Sequence, residues 1–276
     1  MFYRGSAAAL LCAFLFFRII LFSAAQSGPA SAPQGQSGAA APAADLHPVL
    51  VEMFTSEGCS SCPPADVMLA RMDAGQPIPG AQLIVLSEHV TYWDHDGWKD
   101  PNSSALLTER QSSYEQNLGH AEPFTPQMIV DGATEPHLTS PQEIGDALRK
   151  AAAQPKVPVR ISNVTVDPEN PAILRARIET DANFDNHNAE VYVAVALDHY
   201  ESQVLKGENG GKHLVFVAVV QGFQKIGKLS KGNSFAQDVQ LKLKPGADPK
   251  NLRLIAFVQE PGQHKLLGAA LHKPAI

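Results

Sequence analysis

Thiols are almost missing from this chain: three cysteines in 276 residues. Cys12 lies in an apolar N-terminal stretch that reads as a leader. Once that leader is gone, Cys59 and Cys62 have no third thiol to pair with. An excess of positive charge is missing too. The formal net charge is −6 and no basic run occurs, which argues against nucleic acid as a partner. No internal repeat is visible, which excludes a solenoid or propeller. Aromatics make up only 7% of the chain, yet both tryptophans fall in one short segment, 91–104.

The first 25 residues set the compartment. Arg4 precedes an apolar stretch that continues past Arg18 to Phe22, and Ser23-Ala24-Ala25 supplies small residues before Gln26. This reads as a secretory signal peptide cleaved near Ala25, placing the mature protein in the periplasm or outside the cell. An uncleaved membrane anchor is the alternative, although Arg18 and the small residues speak against it. Leu11 is too large for a lipoprotein site at Cys12. Loss of Arg4 and Arg18 takes the charge from −6 to −8. Export also means an oxidising compartment, where a disulfide persists.

Residues 26–44 are Ala, Pro, Gly, Ser and Gln only. Such a segment has nothing to bury and reads as a flexible tether. The texture changes again near 151–158. Before it, strands alternate with helices. Strands are expected at 49–54, 83–86 and 127–130, and helices at 63–73, 105–119 and 142–153. Pro63 and Pro64 sit in a first helical turn, where a missing N–H costs nothing. Ser140-Pro141-Gln142-Glu143 is a capping box, and Asp131-Gly132 a hairpin-type turn. A weak fourth strand is expected near 135–138. After the boundary, seven strand candidates follow, at 158–166, 172–179, 189–198, 213–223, 234–243, 252–259 and 264–271. The pattern predicts an α/β thioredoxin-like domain over 45–153 and an all-β sandwich over 157–276.

The chemistry concentrates at Gly58-Cys59-Ser60-Ser61-Cys62-Pro63, between a strand and a helix, the layout of a thiol–disulfide redox centre. Cys59 stands where a helix begins, and free N–H groups with the positive end of the dipole stabilise a thiolate there. Cys59 is therefore read as the exposed attacking thiol. Cys62, covered by Pro63-Pro64, is read as the resolving one. Glu57 opposes the anion. Parallel strands place the loop from Cys59 and the loop from His89 at one sheet edge. The start of the third strand, at Thr125-Pro126, meets the same edge. Pro126 is read as a cis-proline facing the disulfide, which lets Thr125 pair with an extended substrate. Tyr92 and Trp93 are candidates for a substrate wall. His89 and Asp94 are candidates for proton transfer. Asp66 is either a solvated helix residue, the slightly favoured reading, or a buried carboxylate that moves protons. A metal reading through Cys59, Cys62, His89 and His95 has suitable donor types but no standard spacing.

Three blocks resemble a known family. They are the run from Val51 through Cys59 and Cys62 to Asp66, the segment H-V-x-Y-W-D-x-x-G-W-K-D from His89 to Asp100, and Thr125-Pro126-Gln127-Met128-Ile129-Val130-Asp131-Gly132. They are similar to the signatures of a secreted, thioredoxin-like bacterial family of unknown function, the domain-of-unknown-function 1223 family. Ala256-Phe257-Val258-Gln259 and Leu267-Gly268-Ala269 resemble its C-terminal end, so the likeness runs over about residues 49–273. Met53 stands where that family usually has Leu. The resemblance implies a thioredoxin-like fold and brings no established substrate.

Two functions compete. One is an exported thiol–disulfide oxidoreductase that uses Cys59 and Cys62 on protein or small-thiol substrates with a redox partner protein, and needs no cofactor or metal. The other is a partner-binding adaptor braced by a structural disulfide. A metal-binding relative is a third, weaker reading.

Overall fold

The computed structural model describes residues 46–167, 169–182 and 188–273. The leader with Cys12 and the 26–44 tether lie outside the described residues. Among the described residues no helix is long and apolar enough to cross a membrane.

The first half runs β1 (His47–Thr55), α1 (Pro63–Gly75), β2 (Ala81–His89), α2 (Ala105–Leu118), β3 (Gln127–Val130) and α3 (Pro141–Ala152). β1 is buried from Val49 to Thr55, the continuous apolar habit of a strand covered on both faces. It pairs in parallel with β2, with Thr55 opposite His89. It pairs antiparallel with β3, with Phe54 opposite Gln127. The C-terminal ends of β1 and β2 and the start of β3 therefore share one edge.

The helices start and stop where local chemistry allows. Pro63 and Pro64 open α1. Gly119, at φ 80°, ends α2, a conformation glycine adopts without a Cβ penalty. Ser140 accepts from the Glu143 N–H to open α3, whose Ile144, Ala147, Leu148 and Ala151 form its buried face. The fourth strand expected near 135–138 does not form. Thr134 makes a single bridge with Val130, and Pro136 has no N–H to extend a ladder.

Among the described residues, the regular elements of the second half are strands apart from one short turn of 3₁₀ helix: β4 (Val159–Val166), β5 (Ile173–Thr180), β6 (Ala189–Gln203), β7 (His213–Leu229), β8 (Phe235–Lys242), β9 (Leu252–Gln259) and β10 (Leu266–His272). Its strands do not form a self-contained sandwich. One seven-stranded mixed sheet runs β10-β9-β6-β7-β2-β1-β3, and an antiparallel sheet β4-β5-β8 stands beside it. The join is a parallel pairing of β2 with β7 at Ser87 and Val219, reinforced by Ser87 Oγ donating to the Val217 carbonyl at 2.8 Å. The boundary expected between 153 and 157 therefore crosses a sheet that both halves share. Alternation along β6 explains the layering. Tyr192, Ala194 and Ala196 join the core under β1, β2 and the helices. Val191, Val193 and Val195 face the core under the three-stranded sheet, as a period of two requires.

A buried ion pair ties α2 to the sheet. Arg110 Nε donates to Glu52 Oε1 at 2.6 Å, and its Nη2 donates to Tyr114 and Gln259. The Tyr114 hydroxyl donates to the other Glu52 oxygen at 2.6 Å. Tyr114, Tyr192, Phe223 and Phe257 surround the guanidinium, with ring centroids 4.7–5.7 Å away. Burial, then the neighbouring Glu52, pushes the Glu88 carboxyl well up beside the pair. Arg110→Met leaves Glu52 charged and buried without its partner. The expected loss is about 3–5 kcal/mol, read by urea unfolding. Adding Glu52→Gln recovers part of it. A single variant as stable as the parent contradicts this role.

Candidate functional site

Cys59 and Cys62 form a disulfide. Cys62 is the residue that caps α1, and Cys59 lies in the loop between β1 and that helix. Both cysteines are 0% exposed. The expectation of an exposed Cys59 is thus corrected: only Ser60 and Ser61 between them reach solvent. The Ser61 hydroxyl lies 3.4 Å from the Cys59 sulfur. Gly58 lets the aromatic loop close down on the pair. A Cβ there would stand 2.7 Å from the Trp93 carbonyl oxygen, a space only glycine leaves open.

Asp100 is the hub beneath this loop. Its Oδ2 accepts from His89 Nδ1 at 2.6 Å, from the Glu57 N–H at 2.8 Å and from the Ser56 hydroxyl at 3.4 Å. Its Oδ1 accepts from the Asn102 N–H at 2.8 Å. Burial opposes the charge, but His89 and the two N–H groups hold Asp100 below the usual carboxylate range. A carboxylate accepts only, so Nδ1 carries the proton in the His89 ring. Burial resists charge on His89, yet Asp100, with Asp66 and Glu57 behind it, raises its pKa.

Asp66 is buried, 4% exposed, which overturns its reading as a solvated helix residue. It lies four residues beyond Cys62, on the same helical face. Burial pushes it up to about 7. Neither of its oxygens has a partner, and neither do His89 Nε2, Thr55 Oγ1 and Glu57 Oε1. Buried polar atoms are rarely left so. The other Glu57 oxygen accepts from Trp98 Nε1 at 2.9 Å and from the Ser202 hydroxyl at 2.8 Å. Burial and then Asp100 raise the Glu57 pKa.

The third segment also reaches this edge. The Thr125–Pro126 peptide bond is cis. Trp93 Nε1 donates to the Thr125 hydroxyl at 2.6 Å. The Tyr92 hydroxyl donates to Gln111, and burial pushes its pKa up to about 12. Gln111 in turn donates to the Phe124 carbonyl at 2.7 Å. Asp94 serves its own loop: one oxygen accepts from the Asp100 N–H and the other from the Ser103 hydroxyl. His95 is exposed, pairs with Asp96 and stacks on Trp93. Among the described residues no three His, Cys, Asp or Glu side chains are grouped to hold a metal ion. A cavity of about 480 Å³ opens beside Pro126, lined by His120, Phe124, Met128, Glu135 and Leu138 among others. It adjoins β3, the edge strand of the sheet.

Sequence reasoning missed two contributors. Asp100 was visible as the last residue of the aromatic block, but nothing local marks it as a hub. Asn209 comes from the β6–β7 loop, about 150 residues from the cysteines. It donates to the Glu57 and Cys59 carbonyls, both at 2.9 Å. Its neighbour Glu208 accepts from the Ser60 N–H at 3.2 Å. No local pattern in Gly207-Glu208-Asn209-Gly210-Gly211 announces this.

The family described as "Protein of unknown function (DUF1223)" matches residues 50–259. Among solved structures, a crystal structure of an Agrobacterium tumefaciens protein is 26% identical. The alignment covers 82% of this chain and 94% of that chain, with a TM-score of 0.62. The same architecture therefore extends over most of both molecules. A domain of the outer membrane lipoprotein Omp28 from Porphyromonas gingivalis aligns at 12% identity over 43% of this chain and 88% of that chain. Its TM-score of 0.28 is too low to carry any argument. No curated protein matches the chain.

Asp66 sets a pH signature. Unfolded, an aspartate titrates near about 3.9; in the fold Asp66 titrates at about 7. Between those values the folded chain holds a proton that the unfolded chain has released. Its contribution to stability is present below about pH 4, falls as pH rises through the window, and is lost above about 7. Asp66→Asn removes this loss. The oxidised variant is expected to match the parent at pH 4 and to exceed it at pH 8 by on the order of 2–4 kcal/mol. Urea unfolding at both pH values checks this. An equal offset at both contradicts it.

Proposed function

The chain belongs to the DUF1223 family, and we propose that it is an exported, thioredoxin-like thiol–disulfide oxidoreductase that works through Cys59 and Cys62. The carrying observation is the Cys59–Cys62 disulfide at the start of α1, with the unpartnered Asp66 carboxyl one turn further on. The order β-α-β-α-β-α and the meeting of the Cys59, His89 and Thr125 segments at one edge support the thioredoxin-like reading. The leader supports export to the periplasm or beyond.

The chemistry is reversible exchange. A substrate thiolate attacks the Cys59 sulfur, the Cys59–Cys62 bond breaks, and Cys62 leaves as a thiolate. Protonated Asp66 gives that thiolate its proton and becomes the carboxylate, so the buried negative charge moves from the Cys62 sulfur to Asp66. His89, whose Nε2 is free while Nδ1 is fixed on Asp100, carries the proton between Asp66 and its surroundings. A second substrate thiol then attacks the mixed disulfide. It leaves as an oxidised substrate, and Cys59 and Cys62 remain as the reduced pair. The reverse sequence reduces a substrate disulfide. Thr125 and the cavity beside Pro126 offer the place for an extended substrate, and Trp93, bonded to Thr125, borders Thr125 from the aromatic loop. Substrates are exported proteins or small thiols, and a redox partner protein resets the pair.

A second reading draws on the complete burial of both cysteines. A sealed bridge suits a brace that stiffens a surface for binding a partner, and such bridges resist reduction by the glutathione pool.

Trapping separates the two. Cys62→Ser is expected to leave a Cys59 thiol that accumulates mixed disulfides with partners in the native compartment, while Cys59→Ser traps none. In the reduced parent, iodoacetamide should modify Cys59 first. Cys62 reacting first, or Cys59 titrating at or above the free-thiol value of about 8.5, overturns the assignment.

A further inference from the structure

The second half of the chain reaches the backbone of the cysteine loop through residues 204–212, between β6 and β7. Asn209 is fully buried. Its amide donates to the carbonyls on either side of Gly58, those of Glu57 and Cys59. Lys212 Nζ donates to Asn209 Oδ1 at 2.8 Å. An ammonium can only donate, so this contact fixes which end of the amide faces the cysteine loop. The neighbouring Glu208 is exposed and accepts from the Ser60 N–H. The same loop presses on the aromatic segment. A Cβ on Gly207, at φ +75°, would stand 3.3 Å from the Trp98 Cβ, and the Lys206 stem lies against Gly97.

We propose that this loop is a latch on the disulfide, with Asn209 as a positioning residue for Cys59 and Glu208 as its releasable end. The inference takes its purpose from the redox reading above. A thiolate cannot reach a sulfur whose residue is 0% exposed, so exchange at Cys59 requires a local opening. The contacts suit such a step. Asn209 donates to the Glu57 carbonyl and is a second donor, beside the Cys62 N–H at 3.3 Å, to the Cys59 carbonyl, which fixes the backbone on both sides of Gly58. Glu208 holds the amide that follows Cys59 from the solvent side, where water competes for it and the bond is weak. Opening begins at Glu208 and is completed when Asn209 leaves the two carbonyls. The three glycines at 207, 210 and 211 give the loop backbone freedom to move away. A substrate that engages the loop from outside would thereby expose the sulfur it attacks.

The test uses the full oxidised chain and dithiothreitol in excess. The reagent is oxidised to its cyclic disulfide while Cys59 and Cys62 gain two electrons and two protons. The readout is the rate at which both thiols appear. Glu208→Ala is expected to speed reduction about threefold, and Asn209→Ala tenfold or more. Asn209→Asp keeps the shape but loses the amide protons, so it should behave as Asn209→Ala does. Ile178→Val, in β5, lowers stability without touching the loop and should leave the rate unchanged. Unchanged rates in both Glu208→Ala and Asn209→Ala overturn the latch. So does an equal acceleration in Ile178→Val, because the opening would then be global unfolding. Failure of the redox reading looks different: in every variant the disulfide stays oxidised at equilibrium with glutathione, whatever its rate with dithiothreitol.

Discussion

One carboxylate, Asp100, holds the cysteine loop to the end of β2. It accepts from the backbone of Glu57, the ring of His89, the hydroxyl of Ser56 and the backbone of Asn102. The cysteine loop and the end of β2 thus share one acceptor. That arrangement keeps Asp100 ionised in a buried place, because four donors replace the water it has lost. It also fixes the His89 tautomer, which leaves Nε2 without a partner. Geometry and protonation at the site therefore have a common origin.

The second half of the chain completes the site as well as the sheet. β6 and β7 supply the strands that continue the sheet beyond β2. Ser202, at the end of β6, donates to Glu57, and the loop that follows carries Asn209 and Glu208. Arg253 on β9 makes a two-pronged contact with Asp73 at the end of α1, at 3.1 and 3.0 Å. The helix that bears Cys62 at its start is thus anchored at its finish by the other half. Such non-local contacts make one cooperative unit more natural than a catalytic module with an appendage.

Much of this was legible in the sequence. The apolar runs at 49–54 and 191–197 fixed central strands, because strands covered on both faces need no alternation; the run at 214–220 also forms a central strand, although its Val215 is exposed. Prolines at 63 and 64, Ser140 and Gly119 marked helix ends by chemistry that acts within one turn. What was not legible depends on contacts distant in sequence. The pairing of β2 with β7 rests on few residues, and the texture change near 151–158 suggested a break where the sheet has none. Asp66 looked like an ordinary helix carboxylate, since its burial is imposed by the sheet against which α1 packs. Cys59 looked exposed for the same reason: Trp93 closes against Gly58, and Asn209 holds the Cys59 carbonyl from the other half of the chain.

The central claim is that the Cys59–Cys62 bond is made and broken in use, and its reduction potential is the most direct test. Equilibration of the purified chain with glutathione buffers of graded ratio, followed by thiol alkylation, yields that number. The redox account predicts a value in the range of exchange proteins, roughly −120 to −270 mV. A potential below about −300 mV would identify a structural bridge and contradict the account.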